Sequence, residues 1–190
     1  MSVLADRLLA IHDALAAGSV PHAFGGAIAL AYCTGEPRAT QDLDINIFVD
    51  HSAADAALAS FPREVVITDQ NRQQIADSAQ ARLWWDDTPV DVFFSSHEFY
   101  RQVAATTRQV PFSGTSIPVL SCTALAVFKA FFNRTKDWAD LEAMAAVGQL
   151  DVVAVRAILA HLIGEPDPRL ERIDGLPTVS DPTPPPHLLR

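Results

Sequence analysis

Apolar residues recur at helical spacing through Val3, Leu4, Leu8, Leu9, Ile11 and Leu15, and Gly18 closes the run, so the chain is expected to open on an amphipathic helix. A short strand is expected over 20–24. Gly25-Gly26 then leads into an alanine-rich stretch, 27–32, whose composition favours helix and which Gly35-Glu36-Pro37 ends in a loop. The clearest strand spans 43–49: Leu43, Ile45, Ile47 and Val49 point one way, Asp42, Asp44 and Asn46 the other. Ser52, three residues ahead of Asp55, resembles a helix cap, and 64–68 reads as a further strand. Segments 81–86 and 89–94 read as the arms of a hairpin around Asp86-Asp87-Thr88, with Asp91 between Val90 and Val92 on the second arm.

The pattern changes in the second half. A Pro-spaced, extended stretch over 110–120 passes into helical spacing near 121–133, 136–147 and 151–163. Beyond Gly164 prolines crowd, including Pro184-Pro185-Pro186, and periodicity stops, which predicts an extended tail. The expected architecture is α/β (α+β): a small mixed sheet with flanking helices over 1–120, a helical part over 121–164, and a Pro-rich tail over 165–190.

Composition narrows the class. The chain has 190 residues, is 49% hydrophobic and is 19% charged, enough apolar material to bury a core and too much for a disordered chain. No window approaches the run of about 18 apolar residues that a membrane span requires, so no membrane partner is expected. Cys33 and Cys122 stand far apart, and the economical expectation is a reduced, cytoplasmic protein without a disulfide framework. The formal net charge of −9 argues against a generic nucleic-acid binder, which carries a basic field. It leaves room for a local patch, for which Arg63, Arg72, Arg82, Arg101 and Arg108 are the candidates; dispersed, they favour a small acceptor.

Chemistry centres on three carboxylates. Residues two apart on a strand are separated by about 6.6 Å, so Asp42 and Asp44 can reach one or two cations together. A third carboxylate, Asp91, brought near that pair is costly by repulsion and desolvation unless a divalent ion neutralises the group. Hard oxygen donors suit Mg²⁺ or Mn²⁺, and two such ions about 4 Å apart can clamp a phosphoryl group. Gly25-Gly26, between a strand and a helix, lets backbone N–H groups approach a triphosphate. Trp84 and Trp85 could stack a base, although adjacent strand residues face opposite sides, which places one of them in the core.

Taken together, Gly25-Gly26, the stretch Arg38-Ala-Thr40-Gln-Asp42-Leu-Asp44 and a later strand bearing Asp91 resemble the nucleotidyltransferase superfamily typified by DNA polymerase β. More closely they are similar to the AbiEii and MenT nucleotidyltransferase toxins. The resemblance covers about residues 20 to 145. It continues through Lys129 and through Arg134-Thr-Lys136-Asp137-Trp-Ala-Asp140-Leu, similar to the helical Lys and Arg/Lys-Asp-x-x-Asp-Leu signature of those proteins.

What the resemblance implies is a metal-dependent enzyme that moves NMP from an NTP to an acceptor hydroxyl and releases pyrophosphate. Asp42 and Asp44 would be metal ligands, and Asp91 a third ligand and general base. Gly25, Gly26, Arg38, Thr40 and Lys129 would meet the nucleotide, with Arg134 or Lys136 as a second cation; Asp137 and Asp140 would support them. The implied acceptor is the tRNA 3′ end, the implied role that of a toxin checked by a cognate antitoxin, with Thr40 as a candidate phosphorylation site. A small acceptor of the aminoglycoside type, or an inactive nucleotidyltransferase-fold binding module, are the alternatives.

Overall fold

In the computed structural model, which describes residues 2–177, the chain divides into two compact units. Among the described residues, unit 1 comprises 2–28 and 39–120, and unit 2 comprises 29–38 and 121–177.

Unit 1 is built on six strands: β1 (His22–Phe24), β2 (Leu43–Asp50), β3 (Gln80–Trp85), β4 (Thr88–Ser95), β5 (Arg108–Phe112) and β6 (Thr115–Val119). They form one mixed sheet in the order β3-β4-β2-β1-β6-β5. β2 runs parallel to β4 and antiparallel to β1, β1 runs parallel to β6, and the two outer pairs are antiparallel hairpins. The expected mixed sheet with flanking helices is thus the one observed. Alternation sorts its faces: Leu43, Ile45, Ile47, Leu83, Val90, Val92 and Phe94 are fully buried on one side, while Asp44, Arg82 and Asp91 share the other.

Helix α1 (Val3–Ala17) begins at Ser2, whose hydroxyl accepts from the Ala5 amide, and ends at Gly18. Leu8, Ile11 and Leu15 line its buried side. From the same helix Arg7 ties down the β3–β4 turn through Asp86 (2.7 Å), Asp87 (2.8 Å) and Thr88. The stretch 110–120 proves to be most of the β5–β6 hairpin, turned at Ser113-Gly114, both with positive φ, as a two-residue turn matched to strand twist requires.

Three local expectations in this unit need correction. Ser52 caps nothing: the Asp50 carboxylate accepts from the Ser52 amide and starts a 3-10 turn, His51–Ala53, which runs on into α3 (Ala54–Leu58). Residues 64–68 form no strand; Val66 makes one isolated bridge to Trp84. The chain there instead enters α4 (Asp69–Ser78), set by a capping box between Thr68 and Asn71. That helix buries only Ile75, so it carries almost no apolar periodicity to read. A second unforeseen helix is α5 (Phe99–Ala105).

Helix α2 (Gly26–Thr34) starts in unit 1 and ends in unit 2. Unit 2 adds α6 (Cys122–Phe132), α7 (Thr135–Ala146), α8 (Val152–Ile163) and α9 (Pro168–Asp174), with α6 packing on α7, α8 and α9. Trp138 is its largest buried side chain; the indole N–H donates to Asn133 Oδ1 at 2.7 Å, and the Arg172 guanidinium lies 4.1 Å above the ring.

Two further expectations fail here. The tail does not begin at 165: Asp167 caps α9 with proline at its first turn, and Leu170 and Ile173 are buried. The rest of the expected tail, 178–190, lies outside the described residues. And Cys33 and Cys122 form a disulfide, with Cα atoms 5.6 Å apart, because α2 ends where α6 begins. Separation in sequence says little about separation in the fold.

Candidate active site

The Gly25-Gly26 step is fixed by its closeness to β2. The Gly25 amide donates to the Asp44 carbonyl at 2.8 Å. A Cβ on Gly26 would lie 1.8 Å from Asp44 Oδ2, and Gly26 has φ +49, so both space and backbone conformation demand glycine. A Cβ on Gly25 would meet the Asn46 amide nitrogen at 2.9 Å. The start of α2 and the Asp44 carboxylate are therefore neighbours within unit 1.

Asp42 precedes β2 and is oriented from behind by Thr40, whose hydroxyl donates to its carboxylate in a short hydrogen bond. Asp44 stands directly opposite Asp91 in the parallel β2–β4 register, and Asp91 stands opposite Arg82 in the antiparallel β3–β4 register. Arg82, Asp91 and Asp44 thus form one row across three adjacent strands. The Arg82 fork closes on Asp91 with Nε to Oδ1 at 2.7 Å and Nη2 to Oδ2 at 2.7 Å. This bond first, then the negative charges of Asp91, Asp42 and Asp44, raises the Arg82 pKa above its ordinary value. Asp42, Asp44 and Asp91 are all half-buried.

The carboxylate donor set suits a hard divalent ion, and the Asp44 carboxylate lies against Gly26 at the start of α2. Among the described residues no group of three His, Cys, Asp or Glu side chains is gathered for one ion. Both oxygens of Asp91 are engaged by Arg82, so a hard divalent ion would have to compete with that guanidinium for this carboxylate.

The remaining candidates assemble inside unit 2. Asp140 accepts from Arg38 at 2.5 and 3.1 Å and from the Lys129 ammonium at 2.5 Å. Asp137, fully buried, accepts from the Arg134 side chain at 2.7 and 3.1 Å and from its backbone N–H at 3.2 Å, with Lys129 3.7 Å away. Lys129 is itself buried, and Lys136 is exposed. Asp137 and Asp140 thus bond Arg134, Lys129 and Arg38 between them. Lys129, expected to meet phosphates, spends its charge on those two carboxylates.

Arg82 is the residue that sequence reasoning missed as a member of this row. The signal was available: a two-residue turn at Asp86-Asp87 pairs Trp85 with Thr88, and stepping back three residues on each arm pairs Arg82 with Asp91. Of the two tryptophans, neither is in the core as expected: Trp84 is 45% exposed on the same strand face as Arg82, and Trp85, half-buried, lies 5.9 Å beneath the Arg7 guanidinium.

No known family model matches this sequence, and no curated protein does. The fold, however, has likenesses among solved structures. It is similar to the solution structure of the antibiotic-resistance factor ANT(2'')-Ia, at 14% identity and a TM-score of 0.60, over 84% of this chain and 90% of that one. It is equally similar to the crystal structure of ANT(2'')-Ia in complex with adenylyl-2''-tobramycin, at 13% identity and 0.60, over 84% of this chain and 97% of that one. A relation to the AbiEii and MenT toxins in particular finds no support in these likenesses.

Proposed function

We propose that the protein is a nucleotidyltransferase that moves NMP from an NTP to a hydroxyl of a small, cationic acceptor. The observation that carries the proposal is the Asp44–Asp91 pair in parallel register beside the Gly25-Gly26 step, with Asp42 held by Thr40. Asp42, Asp44 and, once free, Asp91 would hold Mg²⁺ or Mn²⁺, which supplies charge neutralisation for the triphosphate and the leaving pyrophosphate. The backbone N–H groups at the start of α2 bind phosphate oxygens, and Asp91 receives the proton of the acceptor hydroxyl. Trp84 offers a ring face to the acceptor or the base. Lys129 and Arg38 serve by holding Asp140 rather than by touching phosphate.

The acceptor follows from where the arginines go. Arg63 pairs with Glu64, Arg72 with Asp55, Arg82 with Asp91 and Arg101 with Glu98. Four of the five arginines that could have made a patch for tRNA are each matched to an acid. A chain with net charge −9 attracts a polyamine-like acceptor and repels a polyanion. The ANT(2'')-Ia complex, with its adenylyl-tobramycin, points to the same class of acceptor. A toxin acting on tRNA under an antitoxin's control becomes the second outcome of the test. The described residues include no helix long and apolar enough to cross a membrane.

The test is incubation of purified protein with each labelled NTP, Mg²⁺ and either an aminoglycoside panel or total tRNA. Label on an aminoglycoside, absent with Asp44→Ala, is the expected result. Label on tRNA alone would replace the acceptor, and no transfer to either would sink the assignment.

A further inference from the structure

Arg82 raises a question the proposed chemistry does not answer. Both oxygens of Asp91 are taken by the Arg82 fork, and a divalent cation bound to the same carboxylate would stand against the guanidinium at close range. Like charges on one small anion are costly, so one cation excludes the other. The geometry also shows how the exclusion can be relieved. β3 is the edge strand of the sheet, the Arg82 side chain is 52% exposed and that of Asp91 only 19%, so the arginine can leave while the aspartate stays.

We infer that Arg82 is the built-in counter-ion of the metal-free carboxylate row, and that a divalent cation enters by exchange, taking Asp91 from the guanidinium. The inference rests on the reading of Asp42, Asp44 and Asp91 as metal ligands. No covalent bond changes in the exchange: one cation replaces another on the same carboxylate, and the net charge of the row, Arg82 included, rises by the two charges of the incoming ion. That freed charge stays on the strand face it shares with Asp44, where it attracts the phosphates of an incoming nucleotide. Metal and nucleotide then favour each other's binding, because each stabilises the arrangement in which Arg82 has left Asp91. Arg82 acts as a positioning residue: it sets the order of events by acting on Asp91.

The experiment is titration of the purified chain with Mn²⁺, free ion being read by electron paramagnetic resonance, with and without an α,β-methylene nucleoside triphosphate. Wild type, Arg82→Gln, Arg82→Lys and Asp44→Asn are compared. Removing the competing charge is expected to tighten Mn²⁺ binding about tenfold in Arg82→Gln, the effect of about one pKa unit of lost competition. Arg82→Lys, charged but unable to fork, falls between. The analogue tightens Mn²⁺ binding in wild type more than in Arg82→Gln. If Arg82→Gln fails to fold by circular dichroism, Arg82→Lys decides in its place.

Equal or weaker Mn²⁺ affinity in the substituted chain, with wild-type binding intact and abolished by Asp44→Asn, overturns the exchange and leaves the metal site standing. Mn²⁺ binding absent from wild type and Arg82→Gln alike, or indifferent to Asp44→Asn, removes the metal site and the exchange together.

Discussion

Each unit contains a cluster of carboxylates, and the two are neutralised differently. In unit 2, Asp137 and Asp140 are almost fully buried and share three cations, Lys129, Arg38 and Arg134, with every carboxylate oxygen bonded. In unit 1, Asp42, Asp44 and Asp91 remain half-buried, and the guanidinium among them is committed to Asp91. A buried, matched network has nothing left to offer a ligand and is costly to disturb. A partly solvated cluster with more acids than bases stores repulsion that a cation relieves. The same residue types are therefore matched by cations inside one unit, and in the other form the row on which the proposed metal site rests.

The comparison breaks most sharply at Asp44. Asp44→Ala is expected to lower transfer by at least about 100-fold, since loss of a metal contact costs more than loss of its outer support. The melting temperature should stay level or rise, because one of three repelling charges has gone. Unchanged turnover, or a marked loss of stability, would make this cluster structural like the other.

Asp140→Ala tests the opposite corner. Removing it strands Lys129 and Arg38 without their shared acceptor, and a broken buried pair costs about 3–5 kcal/mol. Thermal unfolding should show that loss. At a temperature where the variant is still folded, the apparent KM for NTP should change little. A selective rise in KM with unaltered melting would return Lys129 to the phosphates and undo the contrast between the units.

Legibility in the sequence follows the same division. Where a side chain's fate is decided by near neighbours, the pattern suffices. The alternation of Leu43, Ile45 and Ile47 against Asp42 and Asp44 gave the central strand its faces, and the Gly25-Gly26 step stood where a strand meets a helix. Facts of long range were out of reach: the parallel register that sets Asp44 beside Asp91, and the meeting of Cys33 with Cys122. Polar segments hid helices, as in α4, and proline density hid α9, whose Pro168 starts the helix it was expected to prevent. For Lys129 the sequence offered both a phosphate contact and the acids Asp137 and Asp140, and only the packing of α6 on α7 shows how close those acids lie.

The disulfide supplies a covalent contrast between the units, since both cysteines belong to unit 2. Reduction is expected to cost about 2–4 kcal/mol, by returning freedom to the unfolded chain. Differential scanning calorimetry with and without reductant measures it, and Cys33→Ser should melt like the reduced wild type and ignore the reductant. Free thiol titre in the native, unreduced protein should be near zero. Two titratable thiols there, with no effect of reductant on melting, would show the pair to be unlinked.

The smallest effect expected is a pH dependence that belongs to unit 1. His22 on β1 is buried; its Nδ1 donates to the Val20 carbonyl at 2.8 Å, which leaves Nε2 of the neutral ring to accept from His12 Nδ1 at 2.9 Å. Burial, which disfavours a charged ring, is the main cause holding its pKa below 6.5, and the nearby His12 adds to it against the opposing pull of the Val20 bond. The unfolded chain therefore takes up a proton at a higher pH than the folded one. Stability is complete above about pH 6.5 and falls as the pH drops from there towards the lower folded value, with a slope of at most about 1.4 kcal/mol per pH unit for one proton. Urea melts between pH 7.5 and 5 should show the decline in wild type and a flatter profile in His22→Gln, whose amide can keep a bond to Val20 without titrating. A wild-type profile as flat as that of the variant would mean that His22 takes up its proton at the same pH folded and unfolded, and that burial does not hold the ring neutral.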